Sequence, residues 1–382
     1  MLVRLVTAIA FAALAPGCGS LRGSEIDPVV AEAAPHDLAP YTARVLAPGV
    51  HLLATPSDYI ADVTSNIVVV EQSDGLVVID SGRMAADGRR VVDYVRTISH
   101  LPVKAVVITH WHHDHPGGAS EIRAAWPGVR IISTAPTLEA LNGTALRYIG
   151  LQPDVRFDDQ MREERQGLIT RIDEQLSNPA HDEATRQRYQ RMRTDVLARL
   201  SDIPGTYLVL PTETFTDELV LDDPVRPVRL MFLGRANTEG DAIAWLPREK
   251  IVITGDAVVA PVPFGFFSFP GEWLTVLERV KALNYSILVP GHGEPQTDTV
   301  YVDKLIASIG DIRAQVAALV DEDLTPDEIR GRMVNTTHME MFGDTPRHRA
   351  QLEAFWLRTM PINAYREARG EPFEQGDESL YE

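Results

Sequence analysis

Along the chain, short runs of β-branched residues bounded by turn residues alternate with stretches in which apolar residues recur every three or four positions. The segments "NIVVVE" (66–71) and "GLVVIDSG" (75–82), joined through "QSDG", predict a strand, a tight turn and a strand. Val91, Val92, Val95 and Ile98 then share one helix face, "VKAVVIT" (103–109) reads as a buried strand, and "GGASEIRAAW" and "VRIIST" (129–134) repeat helix and strand. This alternation predicts an α/β protein. From 152 to 202 the character changes. "MREERQGLITRIDEQL" and "HDEATRQRYQRMRTDVLARL" predict an inserted pair of charged helices, read as a cover over one side of the core in preference to a lid over substrate. The sheet pattern resumes at "TYLVLP", "ELVLDD", "VRLMFLG" and "DAIAWLPREKIVITGD". "EWLTVLERVKAL" puts Trp273, Val276, Leu277 and Val280 on one helix face, and "SILVPGHG" supplies a last strand. Residues 301–370 read as a helical extension and 371–382 as a frayed acidic tail.

Composition narrows the picture. A length of 382 residues suits one large domain with additions, which we place at 41–300, or two ordinary domains. Asp and Glu number 54 against 36 Lys and Arg, a net charge of -18, and no basic run interrupts the acidity. A nucleic-acid partner is excluded on that ground, leaving a small-molecule substrate. At the N-terminus, Arg4, an apolar run over 5–14 and small residues up to Cys18 read as an export signal, too short to span a bilayer. "LAPGC" resembles a bacterial lipoprotein site, with Ala15 where a larger aliphatic residue is usual. That implies removal of most of 1–18, a lipid anchor at Cys18 as the membrane attachment, and a periplasmic or outer-membrane-anchored location; free secretion is the alternative. Residues 19–40 form a linker. Cys18 is the only cysteine, so no disulfide can form within the chain.

The stretch "THWHHDHPGG" (109–118) holds four of the eleven histidines. Imidazoles this close bring ring nitrogens that need partners, and they follow a predicted strand, where open α/β sheets place ligand groups. A divalent transition metal would satisfy them, zinc before iron, manganese or cobalt. The alternative is a solvent-exposed His-rich loop without function.

The spacing His-x-His-x-Asp-His resembles that of the metallo-β-lactamase superfamily, and other motifs join it. Asp80 in "GLVVIDSG" resembles that family's structural aspartate, Asp256 in "ITGD" a metal-bridging aspartate, and His292 in "VPGHG" its last ligand. The resemblance covers roughly 66–292 and implies a four-layer αβ/βα sandwich with a two-metal site along one edge. His110 and His112 would hold the first metal, Asp114, His115 and His292 the second, and Asp256 would bridge them. His113 has no ligand role in that pattern, and Trp111 reads as packing.

One position departs from the family. In "GRANTEGD" (234–241), Asn237 stands where a third histidine for the first metal is usual. A carboxamide oxygen is a weaker ligand than imidazole. The expectation is therefore one tight Zn2+ and a second that is weak or absent. The implied activity is hydrolysis of an acyl bond (lactam, lactone, ester or thioester) by a metal-activated hydroxide, with Asp114 moving the proton. The other readings are a metal-binding protein with weakened catalysis and an iron-dependent oxidoreductase on the same fold. Phe264, Phe266 and Phe267, in the apolar segment after Asp256, are candidates for a substrate wall, with ordinary packing the alternative.

Overall fold

The computed structural model describes residues 38–55, 64–143, 158–320 and 324–371. The segment expected to be an export signal, with Cys18, and nearly all of the expected linker and acidic tail lie outside them. Seven strands form one sheet in chain order: β1 (Thr42–Ala47), β2 (Val50–Ala54), β3 (Ile67–Gln72), β4 (Gly75–Ile79), β5 (Val103–Val107), β6 (Arg130–Thr134) and β7 (Glu213–Phe215). Pairing is antiparallel from β1 to β4 and parallel from β4 to β7. The second sheet contains β8 (Glu218–Leu221), β9 (Val228–Phe232), β10 (Ala242–Leu246), β11 (Ile251–Ile253) and β12 (Ile287–Val289), in the order β12-β11-β10-β9-β8. Helices are α1 (Ala85–Ile98), α2 (Ala119–Ala125), α3 (Ala135–Asn142), α4 (Asp158–Leu176), α5 (Glu183–Arg199), α6 (Pro270–Ala282), α7 (Val300–Leu319), α8 (Pro326–Arg332), α9 (Thr336–Phe342), α10 (Pro346–Leu352) and α11 (Met360–Arg369).

Side-chain alternation explains the layering. Leu52, Val68, Val70, Val77 and Ile79 meet Leu230, Ala244, Leu246 and Ile253 of the other sheet, while the intervening Leu53, Val69 and Val78 pack on Val91 and Val95 of α1 and Ile122 of α2. On the far side, Ile243, Trp245 and Val252 pack under Trp273, Val276 and Val280 of α6 and under Leu305, Ile309 and Ile312 of α7. The result is helix, sheet, sheet, helix: the expected four-layer sandwich, with a helical insertion and a helical C-terminal extension.

One pair of strands was not anticipated, and one expected strand is absent among the described residues. β1 and β2 were not anticipated, because "TARVLAPGVHLLA" is poor in β-branched residues and broken by Pro-Gly. "TYLVLP" is not a named strand: Leu208 and Val209 are buried, yet their backbone joins neither sheet as a ladder, and β7 begins only at Glu213.

Helices α4 and α5 have their own small core of Ile169, Ile172 and Val196. They are tied to α1 by Arg199, whose guanidinium is 2.8 Å from both Asp87 Oδ1 and Asp202 Oδ2, with all three residues buried. Removing Arg199 leaves two buried carboxylates to Arg90 alone, 3.6 Å from Asp87 and 3.1 Å from Asp202, so Arg199→Ala is expected to lower unfolding stability by about 3 kcal/mol. Urea unfolding checks this; a change below about 1 kcal/mol would mean that Arg90 alone compensates Asp87. No helix among the described residues is long and apolar enough to cross a membrane.

Candidate metal centre

Five chain segments deliver the site from strand ends along one edge of the sandwich. Asp80 follows β4, the histidine cluster follows β5, Asn237 lies between β9 and β10, Asp256 follows β11, and His292 follows β12. Sheets that end together bring such residues within reach although they are far apart in sequence.

Asp80 organises the cluster. It has φ +60°, sparsely populated by residues other than glycine, and it is buried. Its Oδ1 accepts the Thr109 amide at 2.9 Å, and its Oδ2 accepts the Thr109 hydroxyl at 2.8 Å and lies 2.7 Å from His115 Nδ1. With its hydroxyl hydrogen committed to Asp80, Thr109 Oγ1 can only accept from His110 Nδ1, 3.1 Å away. Both histidines therefore keep Nδ1 protonated and turn Nε2 inward, the usual way a protein fixes the tautomer of a metal ligand.

The inward atoms converge. His115 Nε2 is 3.3 Å from Asp256 Oδ1 and 3.7 Å from Asp114 Oδ2; His292 Nε2 is 3.4 Å and 3.1 Å from the same two oxygens. On the other side, His110 Nε2 is 2.8 Å from His112 Nδ1, and these nitrogens are 3.6 Å and 3.9 Å from Asp256 Oδ2. Asp256 thus faces both pairs of histidines, one with each oxygen. Gly291 makes room for it, since a Cβ there would lie 2.0 Å from Asp256 Oδ1. His115 Nε2, Asp114 Oδ2 and Asp256 Oδ1 are buried without a directed hydrogen bond among the described residues. Buried polar atoms without partners are costly, and converging imidazole nitrogens with carboxylate oxygens fit a divalent cation. Two overlapping groups of such atoms exist, His110 with His115 and Asp256, and Asp114 with His115 and His292.

The electrostatics of the metal-free cluster show a strong demand for positive charge at its carboxylates. Burial opposes charge on His292, but Asp256 and Asp114 outweigh it and push the imidazole up to about 10. Burial likewise opposes ionisation of Asp114, yet the facing His115 and His292 hold its carboxyl well below the usual range. By contrast, burial and the neighbouring imidazoles lower His110 and His112, which stay neutral.

The remaining candidates lie as follows. Asn237 is fully buried, and neither carboxamide atom has a hydrogen-bond partner among the described residues. Trp111 is buried, its Nε1 donating to Glu239 Oε2 at 3.0 Å. Phe264 sets its ring 5.7 Å from His112 and stacks on Phe266 at 4.8 Å, while Phe267 is buried beside Trp111. All three phenylalanines, with His112, His113, Asp114, Asp256 and His292, line a cavity of about 580 Å³.

Two residues were not singled out in the sequence. Asn66 spans the sheets, its Nδ2 donating to Pro290 O and Gly293 O, both at 2.9 Å, so it pins the loop that carries His292. Asp241 is buried near His112 and Asp256, and burial pushes its carboxyl up to about 7 despite the Thr238 amide on Oδ2. Its value in the folded chain lies above the ordinary 3.8, so the metal-free protein has this contribution in full below that value and loses it as pH rises through about 7. Asp241→Asn is expected to remove a loss of a few kcal/mol between roughly pH 4 and pH 8. Urea midpoints of chelated protein at both ends of that window test it; an unchanged pH slope in the variant would assign the effect elsewhere.

A family model spans residues 60–292, more than half of the chain. The chain belongs to the metallo-beta-lactamase superfamily. Members of this superfamily are hydrolytic enzymes and typically bind metal. Within it, the chain is 24% identical over 294 residues to the linear primary-alkylsulfatase of a Pseudomonas species, which covers 73% of this chain and 51% of that protein. A shorter match, 44% identical over 52 residues, is to the hydroxyacylglutathione hydrolase of Shewanella halifaxensis, covering 14% of this chain and 18% of that one. Among solved structures, a stereoselective inverting sec-alkylsulfatase from Pseudomonas sp. superposes with a TM-score of 0.58 at 17% identity, over 89% of this chain and 51% of that one. The chain thus spans about half the length of the alkylsulfatases it matches.

Proposed function

We propose that this superfamily member hydrolyses an ester-type acyl bond in a small molecule with an apolar portion, using metal held by the His/Asp cluster. The observation that carries this is the cavity: His112, Asp114, Asp256 and His292 form one part of its lining, and Phe264, Phe266 and Phe355 another. Zinc suits a donor set of imidazole and carboxylate, and when bound it supplies Lewis acidity and an acidified water at neutral pH. The tight site would be Asp114, His115, Asp256 and His292; the weak one, His110, His112 and Asn237.

The chain's own groups supply the rest. Asp114, lining the cavity beside His292, would orient the attacking water and relay its proton to the leaving group. Asp80 and Thr109 keep His110 and His115 in one tautomer. Phe264, against His112, shields one side of the reacting centre from water.

A sulfate ester is the second reading. Arg83, Arg188 and Arg347 line the same cavity in a chain of net charge -18, and a 24% identical relative is an alkylsulfatase. Turnover of a chromogenic cephalosporin, a lactone, a thioester, an alkyl carboxylate ester and an alkyl sulfate, before and after chelation, separates these. Chelation-sensitive ester turnover above that of the lactam supports the proposal; cleavage of the sulfate alone would replace it with the second reading. Localisation belongs with the proposal: the N-terminal pattern supports export and anchoring through Cys18, and mass spectrometry of the membrane fraction would show the acylated cysteine.

A further inference from the structure

Resting on the ester reading, we propose that the C-terminal extension, outside the family match, builds the apolar half of the substrate site and selects for substrates with an extended alkyl or aryl chain, with Asn363 as the positioning residue. The aromatic segment after Asp256 has no regular hydrogen bonding of its own between Phe264 and Phe269, so something else must fix it. Asn363 of α11 does so. Buried at 2% exposure, its Nδ2 lies 3.0 Å from Gly265 O, 2.9 Å from Phe266 O and 3.0 Å from Ser268 Oγ. The Gly265 amide donates to Phe355 O at 3.1 Å, and a Cβ at Gly265 would come within 2.7 Å of Met360 Sδ, so the segment docks closely on the extension.

The extension also contributes to the wall. Residues Glu353–Leu357 form a π-helical turn, a rare geometry that recurs at functional sites. The turn sends its two aromatic residues opposite ways. Trp356 goes inward, edge-on to Trp273, its Nε1 donating to Ser308 Oγ at 2.9 Å; that hydroxyl pairs with His338 Nδ1 at 2.9 Å, and His338 Nε2 reaches Asp311 at 3.0 Å. Phe355 stays 37% exposed, its ring 5.9 Å from Phe264 and 6.1 Å from Phe266. Rings therefore run without a break from His112 through Phe264 and Phe266 to Phe355. An apolar chain attached to a group reacting at the cluster would lie along this path.

The test compares acetyl, hexanoyl and decanoyl p-nitrophenyl esters on the full metal-loaded chain, as wild type, Phe355→Ala, Asn363→Ala and the double variant. In either single variant the decanoyl-to-acetyl ratio of kcat/KM is expected to fall about tenfold, the loss of contact with one or two methylenes, through KM more than kcat. The double variant should lose less than the sum of the two single losses, because Asn363 holds the segment whose Gly265 amide donates to Phe355 O and whose rings meet Phe355. Phe355→Ala, a substitution at a half-exposed site, keeps the question answerable if Asn363→Ala fails to fold. An unchanged ratio in Phe355→Ala, or additive losses in the double variant, would overturn the proposal. If the wild type hydrolyses none of the esters, the ester reading falls, and the wall is judged on calorimetric binding of decanol and decyl sulfate: about tenfold weaker binding of both in Phe355→Ala upholds it. Equal binding rejects it.

Discussion

Asp256→Asn is expected to reduce turnover by at least about a hundredfold and to strip most of the bound metal. Losing a group that only hydrogen-bonds a metal ligand already costs about 10–100-fold in affinity or activity. Asp256 does more: its two oxygens lie 3.3–3.9 Å from ring nitrogens of His110, His112, His115 and His292. Burial works against its charge, and the facing His292, His115 and His110 nevertheless hold its carboxyl well below the usual range. Asparagine keeps the shape in the space left by Gly291 and removes the charge. Metal analysis and steady-state kinetics on the same preparation check this. Full metal content with near wild-type turnover would show that Asp256 does not join the two halves.

Asn237→His is expected to have the second largest effect, raising bound metal from about one equivalent towards two and kcat/KM by roughly tenfold or more. The position is fully buried, both carboxamide atoms lack a hydrogen-bond partner among the described residues, and the family pattern has a histidine here, so an added ring nitrogen would supply the missing ligand without breaking a hydrogen bond. His110 Nε2 and His112 Nδ1 already face each other at 2.8 Å, and Asp241 lies close enough to His112 to act on its charge. Stoichiometry after dialysis decides the matter. Two equally tight metals in the unaltered protein would remove the basis for unequal sites.

The sequence revealed those features whose signal is local. β3, β4 and β5 are near-continuous β-branched runs because they are covered on both faces, and the histidine cluster is legible because its members are consecutive. Asp256 and His292 stood out through short motifs at predicted strand ends and a family resemblance. Residues whose role is created by distant contact gave no such signal. Asn66 reads as the polar start of a strand until the fold brings it to Pro290, and Asn363 reads as one polar residue on a charged helix until it meets Gly265 and Phe266. Arg188 lies in what the sequence presents as a solvated helix; its place in the cavity wall depends on how α5 docks through Arg199 and Asp87. The error at "TYLVLP" has the same origin, since burial of Leu208 and Val209 against neighbouring elements does not require ladder pairing.

The claim that the cluster is a metal centre responsible for hydrolysis meets its most direct test in a single titration. Dialysed protein would be stripped with chelator, reloaded stepwise with zinc, and assayed at each step for bound metal and for turnover of its best ester. Turnover should vanish on stripping and return in proportion to the first equivalent bound. Stripped protein that hydrolyses the ester at an undiminished rate would contradict it.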